Sequence, residues 1–126
     1  MSNPFTITGK VSVGSQRGRS LGFPTANLAV SAEGYEDGVY LAYTYWQEKR
    51  FASLLFIGSA ITFNETARKV EVYLLAGASD WYGRQVRVAA LNKLRDNVKF
   101  DSAAELVEQM KRDEIAAHEY FKLHSE

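Results

Sequence analysis

Alternation of apolar and polar residues recurs along most of the chain, and it restricts the possible folds more than any other feature. Residues 5–13 show it first: apolar or small residues fall on one face, and threonine, lysine and serine fall on the other. Successive side chains of a β-strand point to opposite faces, so a period of two indicates a strand with one buried side. The pattern therefore predicts that the chain begins with a half-buried strand.

Further strand-like stretches follow at short intervals, with no helical pattern between them. They cover residues 39–46, 50–57, 68–75 and 84–94, and residues 27–30 form a short extended piece or a turn. Gln47 and Glu48 are a candidate tight turn, whose type stays open because neither residue is glycine. Five or six short strands joined by loops favour an antiparallel sheet closed into a barrel, since closure leaves no exposed edge.

The period changes from residue 102 onward, where the sequence indicates a helix. Ser102 and Glu105 have the spacing of a capping box, in which the hydroxyl accepts from an amide and the carboxylate reaches back. Apolar residues then recur at helical spacing. The helix either continues with a bend near Asp113 or stops there and resumes. We expect its apolar stripe to pack on the outside of the barrel.

Residues 14–27 combine three glycines, two arginines and a proline with a terminal threonine and asparagine. Glycine permits close approaches that a side chain would block, and arginine supplies permanent charge with planar donors. Thr25 and Asn27 offer side-chain oxygens to a hard cation. The stretch indicates a glycine loop that covers phosphates, with a metal bound at its C-terminal end, although glycine-rich loops more often only form turns. It matches neither a P-loop nor a dinucleotide-binding motif.

Size and charge limit the class of protein. The 126 residues fit one domain, residues 1–126, and 46% hydrophobic residues suffice for a core. The formal net charge of zero argues against a general nucleic-acid-binding protein. The chain has no cysteine, no apolar run long enough to span a bilayer, and no signal-peptide pattern at its start. We expect a cytoplasmic protein that binds neither nucleic acid nor a membrane.

Motifs found in order along the chain resemble those of riboflavin kinases. The most specific is the hexapeptide Gly-Phe-Pro-Thr-Ala-Asn at residues 22–27. Weaker matches are at residues 9–14, 17–19, 38–40, 57–58, 62–63, 70–72, 82–83, 94–96 and 100–101. Riboflavin kinases occur alone or as the C-terminal module of bacterial bifunctional FAD synthetases. The resemblance therefore implies either a stand-alone kinase or an excised domain.

The resemblance implies a mainly β, Greek-key fold, a closed barrel of six antiparallel strands with a C-terminal α-helix. It also implies transfer of the γ-phosphoryl group of ATP to the ribityl 5′-hydroxyl of riboflavin, giving FMN and ADP, with Mg²⁺ as the metal. FAD formation would need an adenylyltransferase domain or chain upstream. The kinase-like strand begins at residue 5, which leaves no room for such a domain in the sequence.

The resemblance also assigns residues to the phosphate end of the site. The candidate ATP-binding residues are Gly14, Arg17, Gly18, Arg19, Gly22, Pro24 and Thr25. Thr25 and Asn27 would hold Mg²⁺. Glu71 would be the catalytic base, because a carboxylate within reach can take the proton of the attacking alcohol. Glu71 lies in an otherwise apolar strand, so we expect it to face a cavity. We expect the glycine loop of residues 14–27 to act as a lid on the opposite side of this cavity, at one end of the barrel.

Arg95, Tyr82 and Asn97 are the candidate flavin-binding residues. By resemblance, residues 92–101 form a loop over the isoalloxazine, and Arg95 lies in it. Tyr82 could stack on a ring, and buried packing is the alternative. Asn97 departs from the family's Leu-Arg-x-Glu motif, whose acid helps to order the flavin-side loop.

Two other functions stay open on the sequence alone. A non-catalytic flavin- or nucleotide-binding module could share the barrel, and Asn97 together with the missing partner domain motivates it. An OB-like nucleic-acid barrel is suggested by the aromatic residues at 40–46, but the net charge counts against it.

Overall fold

Six strands and a helix make up the regular structure in the computed structural model, which describes residues 4–13, 25–59, 68–76 and 80–124. The elements are β1 (Phe5–Val13), β2 (Ala26–Leu28), β3 (Gly38–Trp46), β4 (Lys49–Ser59), β5 (Arg68–Leu74), β6 (Gln85–Arg95) and α1 (Ala103–His124). The strands close into an antiparallel barrel in the order β1-β2-β5-β4-β3-β6. The expected six-stranded closed antiparallel barrel with a C-terminal helix is confirmed.

The β3–β4 hairpin turns at Gln47 and Glu48, whose backbone φ angles are 54° and 62°. Two central residues with positive φ are typical of a type I′ turn, because its twist matches that of the flanking strands. Trp46 and Lys49 are paired on either side of it. The tight turn predicted here is confirmed, and its type follows from the twist of the hairpin although neither residue is glycine.

Apolar side chains fill the inside of the barrel over the described residues. Alternate residues of β1 and β5 supply part of this layer, including Ile7, Val11, Val70 and Val72, each 1% exposed or less. Full burial of one such side chain contributes about 1.5–3 kcal/mol, so the layer is a main driving force for closing the barrel. The alternation in the sequence therefore identified the strands that line the interior.

Helix α1 covers one side of the outer face of the barrel. Its buried apolar residues pack against the outward side chains of β3, β4 and β5; the contributors are Leu106, Met110, Ala117, Phe121, Val39, Leu41, Leu54 and Tyr73. The Glu105 amide donates to the Ser102 hydroxyl over 3.2 Å, and the Glu105 carboxylate accepts from the Asp101 amide over 3.1 Å. The expected packing of the helix on the outside of the barrel is confirmed.

The helix runs from Ala103 to His124 without interruption, so the predicted stop near Asp113 is wrong. Asp113 is 2% exposed and lies within the buried stripe, where it accepts hydrogen bonds from Arg95 of β6. An acid inside an apolar stripe looks like an interruption in sequence, but a cation from a neighbouring strand compensates its charge. No helix in the described part of the chain is long and apolar enough to cross a membrane.

Candidate active site

A row of cross-strand neighbours runs round the outer face of the barrel and contains three of the candidate residues. From β1 to β6, its members are Ser12, Asn27, Glu71, Phe56, Val39 and Arg95. Residues directly opposite each other in antiparallel strands point to the same side of the sheet, so these side chains share the outer face. Asn27 and Glu71 are on adjacent strands, about 4.8 Å apart, and Arg95 lies three strands beyond Glu71.

Thr25 and Glu71 are in direct contact. The Thr25 hydroxyl donates a hydrogen bond of 2.6 Å to Oε1 of Glu71, and Thr25 is 5% exposed. The two residues are 46 positions apart in sequence, and the pairing of β2 with β5 brings them together. The carboxylate is thus oriented through its Oε1.

Asn27 carries a buried side-chain oxygen, Oδ1, that has no hydrogen-bond partner among the described residues. An amide oxygen and a hydroxyl oxygen are ligands that Mg²⁺ accepts, and the ion commonly takes its other ligands from water and phosphate. Asn27 and Thr25 therefore fit a magnesium site at this position. The described residues contain no cluster of three or more His, Cys, Asp or Glu that could hold a metal.

Glu71 faces the outside of the barrel and not its filled interior. Its neighbours Val70 and Val72 point into the filled interior. Tyr73 shares the face of Glu71, lies under α1, and donates a 2.6 Å hydrogen bond to Glu114. Burial, together with this bond, raises the pKa of Tyr73 to about 12. The inward residues of β5 are apolar, whereas its outward residues are Lys69, Glu71 and Tyr73, so the alternation of the strand separates its two faces.

Arg95 is the last residue of β6, so its predicted position in a loop is wrong. Its Nε and Nη2 donate to the two oxygens of Asp113, each over 2.8 Å, and Nη1 donates to the Asp96 carbonyl over 3.0 Å. Asp113 also accepts from Gln109 over 3.0 Å. This two-point contact fixes the guanidinium between β6 and α1. The sequence reasoning missed Asp113 and Gln109, although a lone acid in an apolar helical stripe was a usable signal.

Tyr82 lies beyond the opposite end of β6 from Arg95. Its ring is 37% exposed, and the neighbouring Gly83 amide donates to the Val11 carbonyl over 2.7 Å, at the far end of β1. The ten residue steps of β6, at about 3.3 Å each, place roughly 30 Å between the strand's two ends. Arg95 thus lies at one end of β6 and Tyr82 beyond the other, and a contact of Tyr82 with the flavin stays a prediction.

Asn97 follows β6 by two residues and is directed at the barrel. Its Nδ2 donates a 3.0 Å hydrogen bond to the Ile57 carbonyl of β4.

Six of the candidate phosphate-binding residues lie outside the described part of the chain: Gly14, Arg17, Gly18, Arg19, Gly22 and Pro24. Thr25 is the one member of that set that the structure describes.

Comparison with known proteins identifies relatives of this chain. The family model described as riboflavin kinase (Flavokinase) matches residues 1–121. A bifunctional riboflavin kinase/FMN adenylyltransferase from Escherichia coli (strain K12) is 37% identical over 125 residues, which cover 98% of this chain and 40% of that protein. The chain thus spans about 40% of the length of the curated relatives of this kind.

Two solved structures are similar in fold. A structure described as a macrolide-efflux protein from Streptococcus pneumoniae has a TM-score of 0.77 and 36% identity, covering 91% of this chain and 38% of that one. The riboflavin kinase from Trypanosoma brucei has a TM-score of 0.64 and 24% identity, covering 94% of this chain and 78% of that one. The second likeness concerns the fold alone, and it supports the assignment of the barrel.

Proposed function

The chain belongs to the riboflavin kinase family, and from this premise we propose that it is an ATP:riboflavin 5′-phosphotransferase. It transfers the γ-phosphoryl group of ATP to the ribityl 5′-hydroxyl of riboflavin and releases FMN and ADP. Phosphoryl transfer depends mainly on positioning and charge stabilisation, with a group that receives the proton of the nucleophile. The outer-face cluster of Thr25, Asn27 and Glu71 has the side chains for these tasks.

The observation that carries the proposal is the contact between Thr25 and Glu71, with Asn27 beside them. A 2.6 Å hydrogen bond joins the hydroxyl to the carboxylate, and the backbone register places Asn27 opposite Glu71. Residues matched to the phosphate end and to the base by the sequence motifs are therefore close enough to contact one substrate pair. A barrel that served only as a scaffold would not require an oriented carboxylate next to an unpaired amide oxygen.

Glu71 is the general base of the proposed reaction. Its Oε2 accepts the proton of the riboflavin 5′-hydroxyl as that oxygen forms a bond to the γ-phosphorus. The bond from the γ-phosphorus to the bridging oxygen breaks, and ADP leaves with its electron pair. Thr25 holds the carboxylate by donating to Oε1, so that a defined oxygen receives the proton. Such positioned proton transfer contributes typically 10²–10⁴-fold to rate.

Asn27 and Thr25 would hold the metal through Oδ1 and Oγ1. Bound Mg²⁺ supplies charge neutralisation of the phosphate oxygens. The Thr25 hydroxyl donates its proton to Glu71 and so turns its lone pairs away from the carboxylate, which suits metal binding. The unsatisfied oxygen of Asn27 supports this role, because a buried acceptor without a partner is uncommon in folded proteins.

We place the reaction in the cytoplasm, where ATP is available as the phosphoryl donor. The E. coli relative is named for riboflavin kinase and FMN adenylyltransferase together. An adenylyltransferase, on the same or another chain, is accordingly the proposed consumer of the FMN formed here.

The direct test is to incubate the protein with riboflavin, ATP and Mg²⁺ and to separate the flavins by chromatography. We expect FMN and an equal amount of ADP, and we expect neither when ATP is omitted or when a chelator removes the metal. Tight flavin binding with no FMN under any metal or nucleotide would instead identify a non-catalytic flavin-binding module. Failure to bind either flavin or nucleotide would contradict both functions.

A further inference from the structure

Residues 96–101 connect β6 to α1 and form no helix or strand. Both ends of this connecting segment are fixed. Asp96 forms a 2.6 Å ion pair with Lys93 of β6, and the Asp101 amide donates to Glu105 of α1 over 3.1 Å. The segment therefore has defined anchor points at β6 and at the start of α1. A further contact, from Asn97, ties it to the barrel wall.

The Asn97 side chain packs directly against Gly58 of β4. Its Nδ2 donates to the carbonyl of Ile57 over 3.0 Å, and Gly58 is the next residue in β4. Gly58 has a φ of +142°, a conformation that side-chain-bearing residues rarely adopt. A Cβ at Gly58 would collide with Nδ2 of Asn97 and would lie 3.2 Å from its Cγ. The amide of Asn97 thus occupies the space that a side chain at residue 58 would fill.

The contact depends on an amide. Asn97 donates an N–H to a backbone carbonyl, and the carbonyl can only accept. The riboflavin kinase motif that this chain resembles has glutamate here, and an ionised carboxylate has no proton to donate. A glutamate could not make the bond to Ile57, so this chain holds the segment in a way that the usual residue does not provide.

The contact also lies close to the proposed reaction centre. Phe56, directly opposite Glu71, is two residues from Gly58 along β4. Gly58 itself is opposite Lys69, which precedes Glu71 by two residues on the same face. If the connecting segment shifted at Asn97, the first residues to be displaced would be those of β4 around Gly58. Phe56, the strand partner of Glu71 on the Arg95 side of the row, is only two residues away.

We propose that Asn97 is a positioning residue that holds the connecting segment in place before riboflavin binds. The inference rests on the proposed function, since the Asn97 contact at Gly58 lies two residues from the strand partner of Glu71, the proposed base for the acceptor hydroxyl. Asn97 touches no reacting atom in the proposed reaction. Because the segment is ordered in advance, riboflavin binding does not have to supply the free energy of ordering it, and the acceptor binds more tightly.

The test compares Asn97→Ala and Asn97→Glu with the wild-type protein in steady-state FMN formation. Loss of one hydrogen bond should raise the KM for riboflavin about three- to tenfold. We expect kcat at saturating riboflavin and the KM for ATP to change by less than about twofold, which a general loss of structure would not produce. Hydrogen exchange of the amides at 96–101 should be faster in both variants without ligand.

Two glycine variants provide the matched control. In Gly58→Ala, the new methyl group collides with the Asn97 amide, so the KM for riboflavin should rise as it does in Asn97→Ala. The riboflavin KM of the double variant should not exceed that of the more affected single variant. Gly34 also has a positive φ, +89°, but a Cβ there meets nothing within 4 Å. Gly34→Ala therefore imposes backbone strain without the collision, and its KM for riboflavin should stay at the wild-type value.

Two results would overturn the proposal. One is an unchanged riboflavin KM in Asn97→Ala, and the other is a KM in Asn97→Glu below that of the wild type, which would show that the motif's acid is better here. FMN formation by the wild-type protein reports separately on the proposed function. A wild type that makes FMN, with unchanged exchange and KM in Asn97→Ala, refutes the positioning role alone.

Discussion

Asn27 has a buried amide oxygen without a partner in the described part of the chain, next to a hydroxyl that donates to a carboxylate. An unpaired buried acceptor costs about 1–3 kcal/mol of folding free energy. Local choices that oppose stability are expected mainly at functional sites. Of the three residues in the cluster, Asn27 is therefore the one whose environment most clearly calls for a ligand, and Mg²⁺ is the ligand that the proposed reaction supplies.

Asn27→Ala should separate metal binding from folding. Removing the oxygen should raise the Mg²⁺ concentration for half-maximal FMN formation by about tenfold or more, since even outer-shell changes at metal sites cost about that much. The free energy of unfolding should not fall, because an unsatisfied acceptor has been removed. Ser12→Ala is the control, since Ser12 is exposed and is the partner of Asn27 on β1. An unchanged Mg²⁺ requirement in Asn27→Ala would exclude Asn27 as a ligand.

Helix α1 is attached to the barrel by an apolar stripe and by two polar contacts at its middle. Arg95 of β6 binds Asp113, and Tyr73 of β5 donates to Glu114, one residue further along the helix. The second contact reaches the helix from the strand that carries Glu71. The position of α1 relative to the proposed site thus depends on polar groups from two separate strands as well as on apolar burial.

Tyr73→Phe should reveal this attachment through its pH dependence. Burial first, and the bond to Glu114 second, raise the pKa of Tyr73 to about 12 in the folded protein, against about 10 for an unfolded tyrosine. A pKa raised by folding means that the contribution is fully present below pH 10 and is lost as the pH rises from about 10 to about 12. At pH 8, the variant should lose about 1 kcal/mol of unfolding free energy.

Urea unfolding of both proteins between pH 8 and pH 11 measures this effect. The difference between wild type and Tyr73→Phe should narrow above pH 10, because the variant has no group to titrate at this position. Tyr82→Phe serves as the control, since the ring of Tyr82 is 37% exposed. A difference that stays constant over the whole pH range would contradict the assignment of the pKa shift to the folded environment of Tyr73.

At the scale of the whole molecule, the barrel could be predicted because its walls alternate. Five of the six strands have a clear pattern or a strand-forming composition, and their observed ends differ from the predicted ones by at most two residues. β2 was the exception, because three residues are too few to show a period. Yet the pairing of β2 with β5 is what brings Thr25 and Asn27 to Glu71.

The arrangement of the site followed from features that a linear pattern does not contain. Neighbouring strands of a closed barrel are staggered, so the row that leaves β1 at Ser12 reaches β6 at Arg95, whereas Lys10 of β1 pairs directly with Gln85. The length of β6 separates Arg95, at one end of the strand, from Tyr82, which lies beyond the other end. The motifs identified Thr25, Asn27 and Glu71 as a set, and their adjacency needed the three-dimensional register.

The measurement that tests the account most directly is the turnover number of Glu71→Gln in FMN formation. Glutamine keeps an oxygen that can accept from Thr25 but cannot serve as a base at neutral pH, so kcat should fall by about 10²-fold or more. The dissociation constants for ATP and riboflavin, measured by equilibrium binding, should stay within about threefold of wild type. A Glu71→Gln protein that forms FMN at the wild-type rate would contradict the central claim.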